Sequence, residues 1–413
     1  MPNPIVLAVP LFICLLLLEL GWSLWRQRST FAFGDTLANL SLGLSGQVLN
    51  VFAKAASLGV YVLAYEYLAL FQLPTSAWWV WVLGIIGYDF LYYWNHRLGH
   101  EVNLLWASHV VHHSSEEYNL STALRQTSTG FFTSWLFYWP LAVLGVPPVV
   151  FLVSGAISLL YQFWIHTRLI GSLGWFDRWF ASPSNHRVHH GQNAYCVDRN
   201  YGAILMLWDH LFGSFAAERS AHEEPIVYGI HGQLKRYDLL HANLHKYADL
   251  LADARLADNW KDRIRVWFAR PGWRPRAAEL HDPKPAYDLA AFRIYRPQIT
   301  RSAALFSLLQ LVVVLLAGMP FITYGADLPR AWQIVAAGWL LTSLWVICHT
   351  LEGHANARSW QLGWLLSLPL PVALGHFFLG LQLPSLVPPS AVVALLFAGL
   401  LLSSRPATPA LDS

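Results

Sequence analysis

The sequence predicts an all-α fold, a polytopic membrane protein with about nine transmembrane helices and a histidine-box metal site at their cytoplasmic ends. Three observations carry this expectation. Hydrophobic residues make up 55% of the 413 and charged residues only 12%, about half of the ~25% that a soluble domain carries. The apolar residues fall in runs near the ~20 residues that cross a bilayer. Nine of the 18 histidines are gathered between residues 96 and 190. The net charge of +3 is too small to imply nucleic acid. Cys14, Cys196 and Cys348 lie far apart and form no CxxC pair, which excludes a disulfide framework and a zinc finger.

The runs follow in chain order. Pro4–Trp25 has no basic residue before it, so it reads as a retained anchor rather than a signal peptide. Leu37–Phe71 is longer than one span needs and is interrupted by Lys54, so it reads as one tilted helix or a broken one. Trp78–Trp94 is the third run. Phe131–Leu144 and Val149–Ile165 flank Gly145-Val-Pro-Pro148, a turn that reads as the tip of a helical hairpin. About 135 mostly polar residues follow, too few apolar positions for a span. Four apolar runs close the chain: Ala303–Thr323, Ala331–Cys348, Trp360–Leu379 and the short Ala391–Leu402.

Orientation comes from the loops. With the N-terminus outside and nine crossings, 25 of the 27 basic residues fall on one side. Lys54 lies within a span and Arg330 opposite. An excess of Lys and Arg marks the cytoplasmic side. The expected organisation is an N-terminal anchor (1–77), a catalytic core (78–215), a cytoplasmic segment (216–302) and C-terminal transmembrane helices (303–413). Within the cytoplasmic segment, Trp260–Phe268 (WKDRIRVWF) interleaves Arg and Trp. It reads either as a helix lying on a membrane surface or as a solvated helix packing one face on its domain.

The chemistry sits in the histidines. His96 and His100 form HxxxH just past the third run. His109, His112 and His113 form HxxHH, as do His186, His189 and His190, and His166 stands alone at the end of the fifth run. Residues three and four apart share a helix face, so each box is expected to converge on one point. Neutral imidazole ligates iron, copper, zinc and nickel. Nine histidines exceed the six positions of one metal, and two metals fit better. The absence of accompanying thiolates argues against structural zinc. Glu101 adjoins His100 and is the nearest carboxylate to an otherwise neutral site. The scattered His210, His222, His231, His241, His245, His281 and His376 read as surface or core residues, and His349 with His354 as a capping or interior polar pair. Asp89, two turns before His96, is expected to accept an imidazole N–H. Asp209 reads as the same or as a helix cap. Asn119, Ser121 and Arg125 are expected to shape a cofactor or headgroup pocket. Arg187 and Arg199 read as anion ligands or as cytosolic surface.

Four stretches carry a resemblance: YDFLYYWNHRLGHEVNLLWASHVVHHSSEEYNLSTALRQ (88–126), QFWIHT (162–167), PSNHRVHHGQNAYCVDRNYG (183–202) and WDHLFGSF (208–215). They resemble the fatty acid hydroxylase / sterol desaturase superfamily of integral-membrane di-iron oxygenases, and within it the alkylglycerol (glyceryl-ether) monooxygenase branch. The resemblance implies that His96, His100, His109, His112, His113, His186, His189 and His190 hold two irons per chain, with His166 at a position that ligates in related hydroxylases. It implies a required acid at Glu101. Many relatives carry HxxxH where this chain has Gln162, and the branch often places Glu where Arg168 stands. Breaking an unactivated C–H bond is beyond side chains and needs a metal. No flavin or nicotinamide fingerprint and no fused cytochrome is present in the sequence, so electrons come from outside. The resemblance implies tetrahydrobiopterin, with a redox protein such as a ferredoxin as the alternative. The expected partners are therefore a membrane lipid, O2 and that donor. The expected function is hydroxylation of a lipid C–H bond, cleaving alkylglycerol ethers. A sterol, carotenoid or fatty-acyl hydroxylase or desaturase on the same site is the alternative. A histidine-rich metal transporter is the remote one, since it calls for ligands near mid-membrane.

Overall fold

The computed structural model describes residues 4–27, 30–220, 222–284 and 286–371 of the chain. Among the described residues the fold is all-helical: no strand forms, and only isolated bridges pair Phe180 with Leu205 and Gly191 with Tyr228. Helices α1 (Pro4–Trp25), α2 (Phe33–Leu68), α3 (Trp78–Glu101) and α4 (Asn103–His113) lead into the short α5 (Leu120–Ala123). A hairpin follows, α6 (Trp135–Val143) and α7 (Pro148–Trp164), then the short helices α8 (Phe176–Trp179), α9 (Pro183–His189) and α10 (Leu207–Leu211). The polar segment folds as α11 (Leu239–Leu256), α12 (Trp260–Phe268) and α13 (Arg276–His281). Helices α14 (Arg301–Tyr324), α15 (Arg330–Leu351) and α16 (Ala357–Ser367) close the described chain.

Among the described residues, three helical stretches are long and apolar enough to cross a membrane: Ala8–Trp25, Arg301–Asp327 and Arg330–Leu351. Helix α2 adds a fourth if its halves, Phe33–Ala53 and Ser57–Leu68, count as one span; they meet at 44°, at the break that Lys54 marks in the sequence. The hairpin differs from the two full spans expected. Its first arm has nine residues, about 14 Å of helix at 1.5 Å per residue, against a hydrocarbon core of about 30 Å. The run Phe131–Leu144 is shortened because Gly130–Phe132 forms a separate 3-10 turn, and the polar Thr133 and Ser134 interpose before α6 begins. The run Ala391–Leu402, the end of Trp360–Leu379, His376 and Arg405 lie outside the described residues.

Among the described residues, two apolar clusters hold α2, α3, the hairpin and α14–α16, and a third packs Phe12 of α1 on Phe163 of α7. Leu42 and Val48 of α2 pack with Phe306 and Val314 of α14, Leu344 and Ile347 of α15 and Trp364 of α16. Tyr61 of α2, Val80 of α3, Leu141 and Val146 pack with Val150 of α7. The hairpin tip is locked to the end of α2: Leu70 N–H donates to Val143 O at 2.7 Å, and Tyr61 Oη donates to Val146 O at 2.9 Å. Gly145 takes φ +87° there, and a Cβ would stand 1.9 Å from Phe71 O. Only glycine fits both the left-handed backbone and the close approach.

Helix α3 runs two turns past Trp94, which carries His96 and His100 beyond the apolar stretch. Val102 N–H caps it on Leu98 O, and the chain turns into α4. Helix α4 is backed by α11 and α12 through Ala107, Leu250, Ala254 and Val266, while Asn103 Nδ2 donates to Val266 O at 2.9 Å. The Arg/Trp-rich α12 therefore buries one face on its domain and leaves Trp260, Ile264 and Phe268 exposed. Helix α9 starts on Ser182, whose hydroxyl accepts Asn185 N–H, with Pro183 in the first turn. This is a reciprocal cap that fixes where the last histidine box begins.

Candidate metal centre

All nine histidines of the boxes come together, and they divide into two groups. His96, His100, His109, His113 and His189 form one; His112, His166, His186 and His190 form the other. Within each group, one ring nitrogen per residue lies within 4.8 Å of all the rest. The groups share a wall: the rings of His113 and His190 stack at 4.3 Å, and those of His112 and His113 stand 5.4 Å apart.

This corrects the expectation that each HxxHH box converges on one point. On α4, His109 and His113 serve one group and His112 the other. On α9 and its C-cap, His186 and His190 serve the second group and His189 the first. The reason is angular. Residues at i+3 and i+4 straddle the line through residue i but diverge from each other by about 100° around the axis. A box placed between two centres therefore sends its i, i+4 pair to one and its i+3 residue to the other.

Backbone carbonyls aim the rings. Tyr201 O accepts from His96 Nδ1 at 2.8 Å, Arg125 O from His112 Nδ1 at 2.9 Å, Gln162 O from His166 Nδ1 at 2.8 Å and Arg199 O from His189 Nδ1 at 2.8 Å. A proton held at Nδ1 leaves a lone pair at Nε2 of the neutral ring. Burial keeps the rings neutral: it pushes His96 and His112 down to about 4 and the other seven well below the usual histidine value.

The Nε2 atoms then face one another. His112 and His166 stand 3.3 Å apart, His166 and His186 2.9 Å, His186 and His190 3.2 Å. In the other group His109 stands 3.1 Å from both His96 and His113. His112 and His166 both hold their protons on carbonyls, so two lone pairs oppose each other with no hydrogen between them. A cation between them turns that repulsion into attraction. The edge of an octahedral site with metal–nitrogen bonds of about 2.1 Å is about 3.0 Å, and the observed spacings match it. His100 and His189 also present buried Nε2 atoms with no hydrogen-bond partner. The donor set, all neutral imidazole, fits a divalent transition metal in each group.

Neither aspartate expected to touch an imidazole does so. Asp89 accepts from Ile204 N at 2.8 Å, Leu205 N at 3.2 Å and Trp208 Nε1 at 2.9 Å. Asp209 accepts from Tyr201 N and Gly202 N at 2.8 Å and from Ser214 Oγ at 2.7 Å. Both act one step back: they fasten loop 200–206 to α3 and α10, and that loop supplies the carbonyl that holds His96. Asn119, Ser121 and Arg125 do not line a headgroup pocket but are buried and engaged. Arg125 donates to Val111 O at 2.9 Å and Asn39 Oδ1 at 2.9 Å and pairs with Asp35 at 3.8 Å. Arg187 is taken up by Glu218, with both contacts at 2.7 Å. Arg199 donates to Gly213 O. Gln162 stays out of both groups and accepts from Tyr92 Oη at 2.6 Å.

Glu101 lies beside the first group but outside it, held by Arg97 at 3.0 Å and Arg270 at 3.4 Å. His349 and His354 stack on each other at 4.1 Å, away from the nine. Residues that the sequence reading missed stand beside the centre or fasten the loops around it. Asp198, with φ +57°, stands 3.9 Å from His100 Nδ1. Tyr201 lies with its ring 5.3 Å from that of His100 and buries a hydroxyl that has no partner. Glu19 of α1 accepts from Leu120 N at 2.7 Å and from Thr167 Oγ1. Glu19 and Asp35 had a legible signal, since carboxylates within or beside apolar runs are costly and partnered.

Residues 81–214 match the fatty acid hydroxylase family. The chain is 40% identical over 281 residues to an alkylglycerol monooxygenase of Homo sapiens, covering 68% of this chain and 62% of that protein. It is 40% identical over 283 residues to an alkylglycerol monooxygenase of Danio rerio, with the same coverages. An ornithine lipid hydroxylase of Rhizobium tropici is 35% identical over 135 residues, 32% of this chain and 41% of that protein. The chain thus covers under two thirds of the length of these relatives. No solved structure matches.

Proposed function

Because residues 81–214 match the fatty acid hydroxylase family, we propose that the protein is an iron-dependent membrane monooxygenase that oxidises a lipid C–H bond with O2. One observation carries the reading most: two buried, all-histidine groups share a wall, their rings neutral and their lone pairs turned inward. His96, His100, His109, His113 and His189 would hold one iron and His112, His166, His186 and His190 the other. The bound iron pair would supply the activation of O2 that C–H oxidation demands and side chains cannot provide. The protein's own share is to fix the imidazoles through the carbonyls of Tyr201, Arg125, Gln162 and Arg199, and to keep water away by burial.

The substrate is read as an alkylglycerol. A carbon beside an ether oxygen lies where headgroup meets chain, at the membrane face where α3 and α7 end. Oxygen inserted into that C–H bond gives a hemiacetal, which collapses to an aldehyde and glycerol; the second oxygen atom leaves as water with two electrons and two protons from an external donor. Reduced pterin is the donor proposed, with a redox protein as the alternative. Acyl-chain hydroxylation is the second reading, favoured by the likeness to an ornithine lipid hydroxylase. The test is anaerobic purification with iron, followed by an alkylglycerol, O2 and reduced tetrahydrobiopterin. Aldehyde is expected. Untouched alkylglycerol alongside an oxidised acyl chain or sterol would favour the second reading, and no oxidation of any lipid by iron-loaded, reduced protein would sink both.

The proposed topology places loops 96–127 and 166–302 in the cytoplasm and the Gly145 turn towards the other side, with the core, cytoplasmic segment and C-terminal helices divided at 215 and 302. The short hairpin leaves this orientation intact, since entering and leaving by one face or crossing twice returns the chain to the same side. Single cysteines at the exposed Glu223 and Leu144, in a chain whose exposed Cys14 is replaced by Ser, should label from opposite sides. Labelling of both by an impermeant reagent from one side would break the assignment.

Glu101 is proposed to act at the mouth of the first group, by holding Arg97 and Arg270 beside His100. Glu101→Gln keeps size and removes the charge. Turnover should fall about tenfold, the equivalent of the ~1.5 kcal/mol that a hydrogen bond to a charged group contributes, with iron content unchanged. Near-normal turnover with normal iron would remove Glu101 from the mechanism.

A further inference from the structure

The shortness of α6 leaves a cleft of about 220 Å3 between α2, α3 and the hairpin. Leu58, Tyr61, Tyr88, Trp139, Phe151 and Leu152 line it. The aromatic rings form its inner wall: Tyr61 stacks on Phe151 at 4.1 Å, and Tyr88 on Tyr138 at 4.6 Å. Trp139 and Leu152 at its rim are 45% and 43% exposed, on the apolar outer surface of the hairpin. The Tyr61 hydroxyl is turned away onto Val146 O, so its ring face is what the cleft presents. Opposite Tyr88, Gly155 has no side chain to push the ring off, and a Cβ there would stand 3.2 Å from it.

One face of α3 leads from the cleft towards the metal centre. Tyr88, Tyr92 and His96 succeed one another at four-residue steps on α3, one above the next. The Tyr92 ring lies 5.3 Å from that of His96. Eight residues of helix put the cleft about 12 Å from His96, towards the bilayer interior. A lipid oxidised near its polar end at the histidines must lay its tail in that direction. We infer that this cleft is the binding site for the alkyl chain of the substrate, and that its aromatic wall sets the chain length accepted. The inference rests on the reading of the protein as a lipid C–H oxidising enzyme and adds where the chain lies.

Two measurements on the full-length, iron-loaded protein test it. Ser57 lines the cleft, and Ser57→Phe fills it. Leu159→Phe places the same side chain on the exposed part of α7 away from it. Across alkylglycerols of increasing chain length, Ser57→Phe should lower kcat/KM for long chains about tenfold or more relative to short ones, because a pocket discriminates by that much per misplaced methylene. Leu159→Phe should leave the profile as in the wild type. Separately, an alkylglycerol with a diazirine at the chain end should label residues 57–61, 135–139 or 151–152. Equal losses at every length, or label elsewhere while turnover proceeds, would overturn the inference and leave the enzymatic reading standing. Label in the cleft with no lipid turned over would do the reverse, sinking the enzymatic reading while the chain site holds.

Discussion

Replacing His186 by alanine should lower iron from about two per chain to about one and reduce turnover by more than the ~100-fold that even indirect partners of a ligand command. His186 stands at the centre of the second group, 2.9 Å from His166 and 3.2 Å from His190, and contributes nothing to the first. Its loss leaves three imidazoles there and all five in the other group. His189→Ala, three residues along the same helix, should deplete the first group and spare the second. Metal analysis of the two variants, with a spectroscopic readout of the iron that remains, decides the matter. Equal retention of both irons in His186→Ala would refute the division into two centres, and tight zinc with no oxygen-dependent activity in iron-loaded wild type would refute the iron pair itself.

Asp35→Ala should destabilise the protein by about 3–5 kcal/mol, the cost of leaving a buried charge uncompensated. Arg125 is fully buried, 1% exposed, and Asp35 is the carboxylate it pairs with. Asp35 also accepts from Ser115 Oγ at 2.6 Å and Asn39 Nδ2 at 3.1 Å, which ties the start of α2 to the loop after α4. The Arg125 carbonyl holds His112, so the variant should lose iron from the second group before the first. Replacing Arg125 by Met in the same chain should recover part of the loss, because no unpaired charge then remains. Denaturation in detergent, followed with iron content, measures both. An Asp35→Ala protein as stable as wild type, or one that sheds both irons together, would refute this coupling.

The sequence by itself marked the nine histidines that the fold gathers and the ring chemistry they offer. Nine histidines at spacings of three and four, set just past apolar runs and unaccompanied by thiolates, were legible as a metal site because helical period and imidazole chemistry are local properties. The all-helical architecture was legible for the same reason. The Gly-Val-Pro-Pro turn was legible as a hairpin tip, because positive φ and fixed proline geometry are residue-level facts. Only the tertiary structure decided how the ligands are shared. That each HxxHH box divides two-to-one between adjacent groups depends on where α4 and α9 sit relative to α3 and α7, and no spacing along one helix contains that information. The atoms that aim the rings are main-chain carbonyls of Tyr201, Arg125, Gln162 and Arg199, which every residue type carries, so the side-chain sequence gives no mark of them. Asp89 and Asp209 were recognisable as costly, partnered carboxylates. Their partners proved to be loop amides and an indole N–H more than 100 residues on for Asp89, and amides seven and eight residues back with the Ser214 hydroxyl five on for Asp209, a pairing fixed by the packing of loop 200–206 against α3. The start of α6 follows a stretch that Ser128 anchors on Ser45 of α2 and Asn243 of α11, a competition between local helix propensity and long-range hydrogen bonds that hydropathy alone does not weigh.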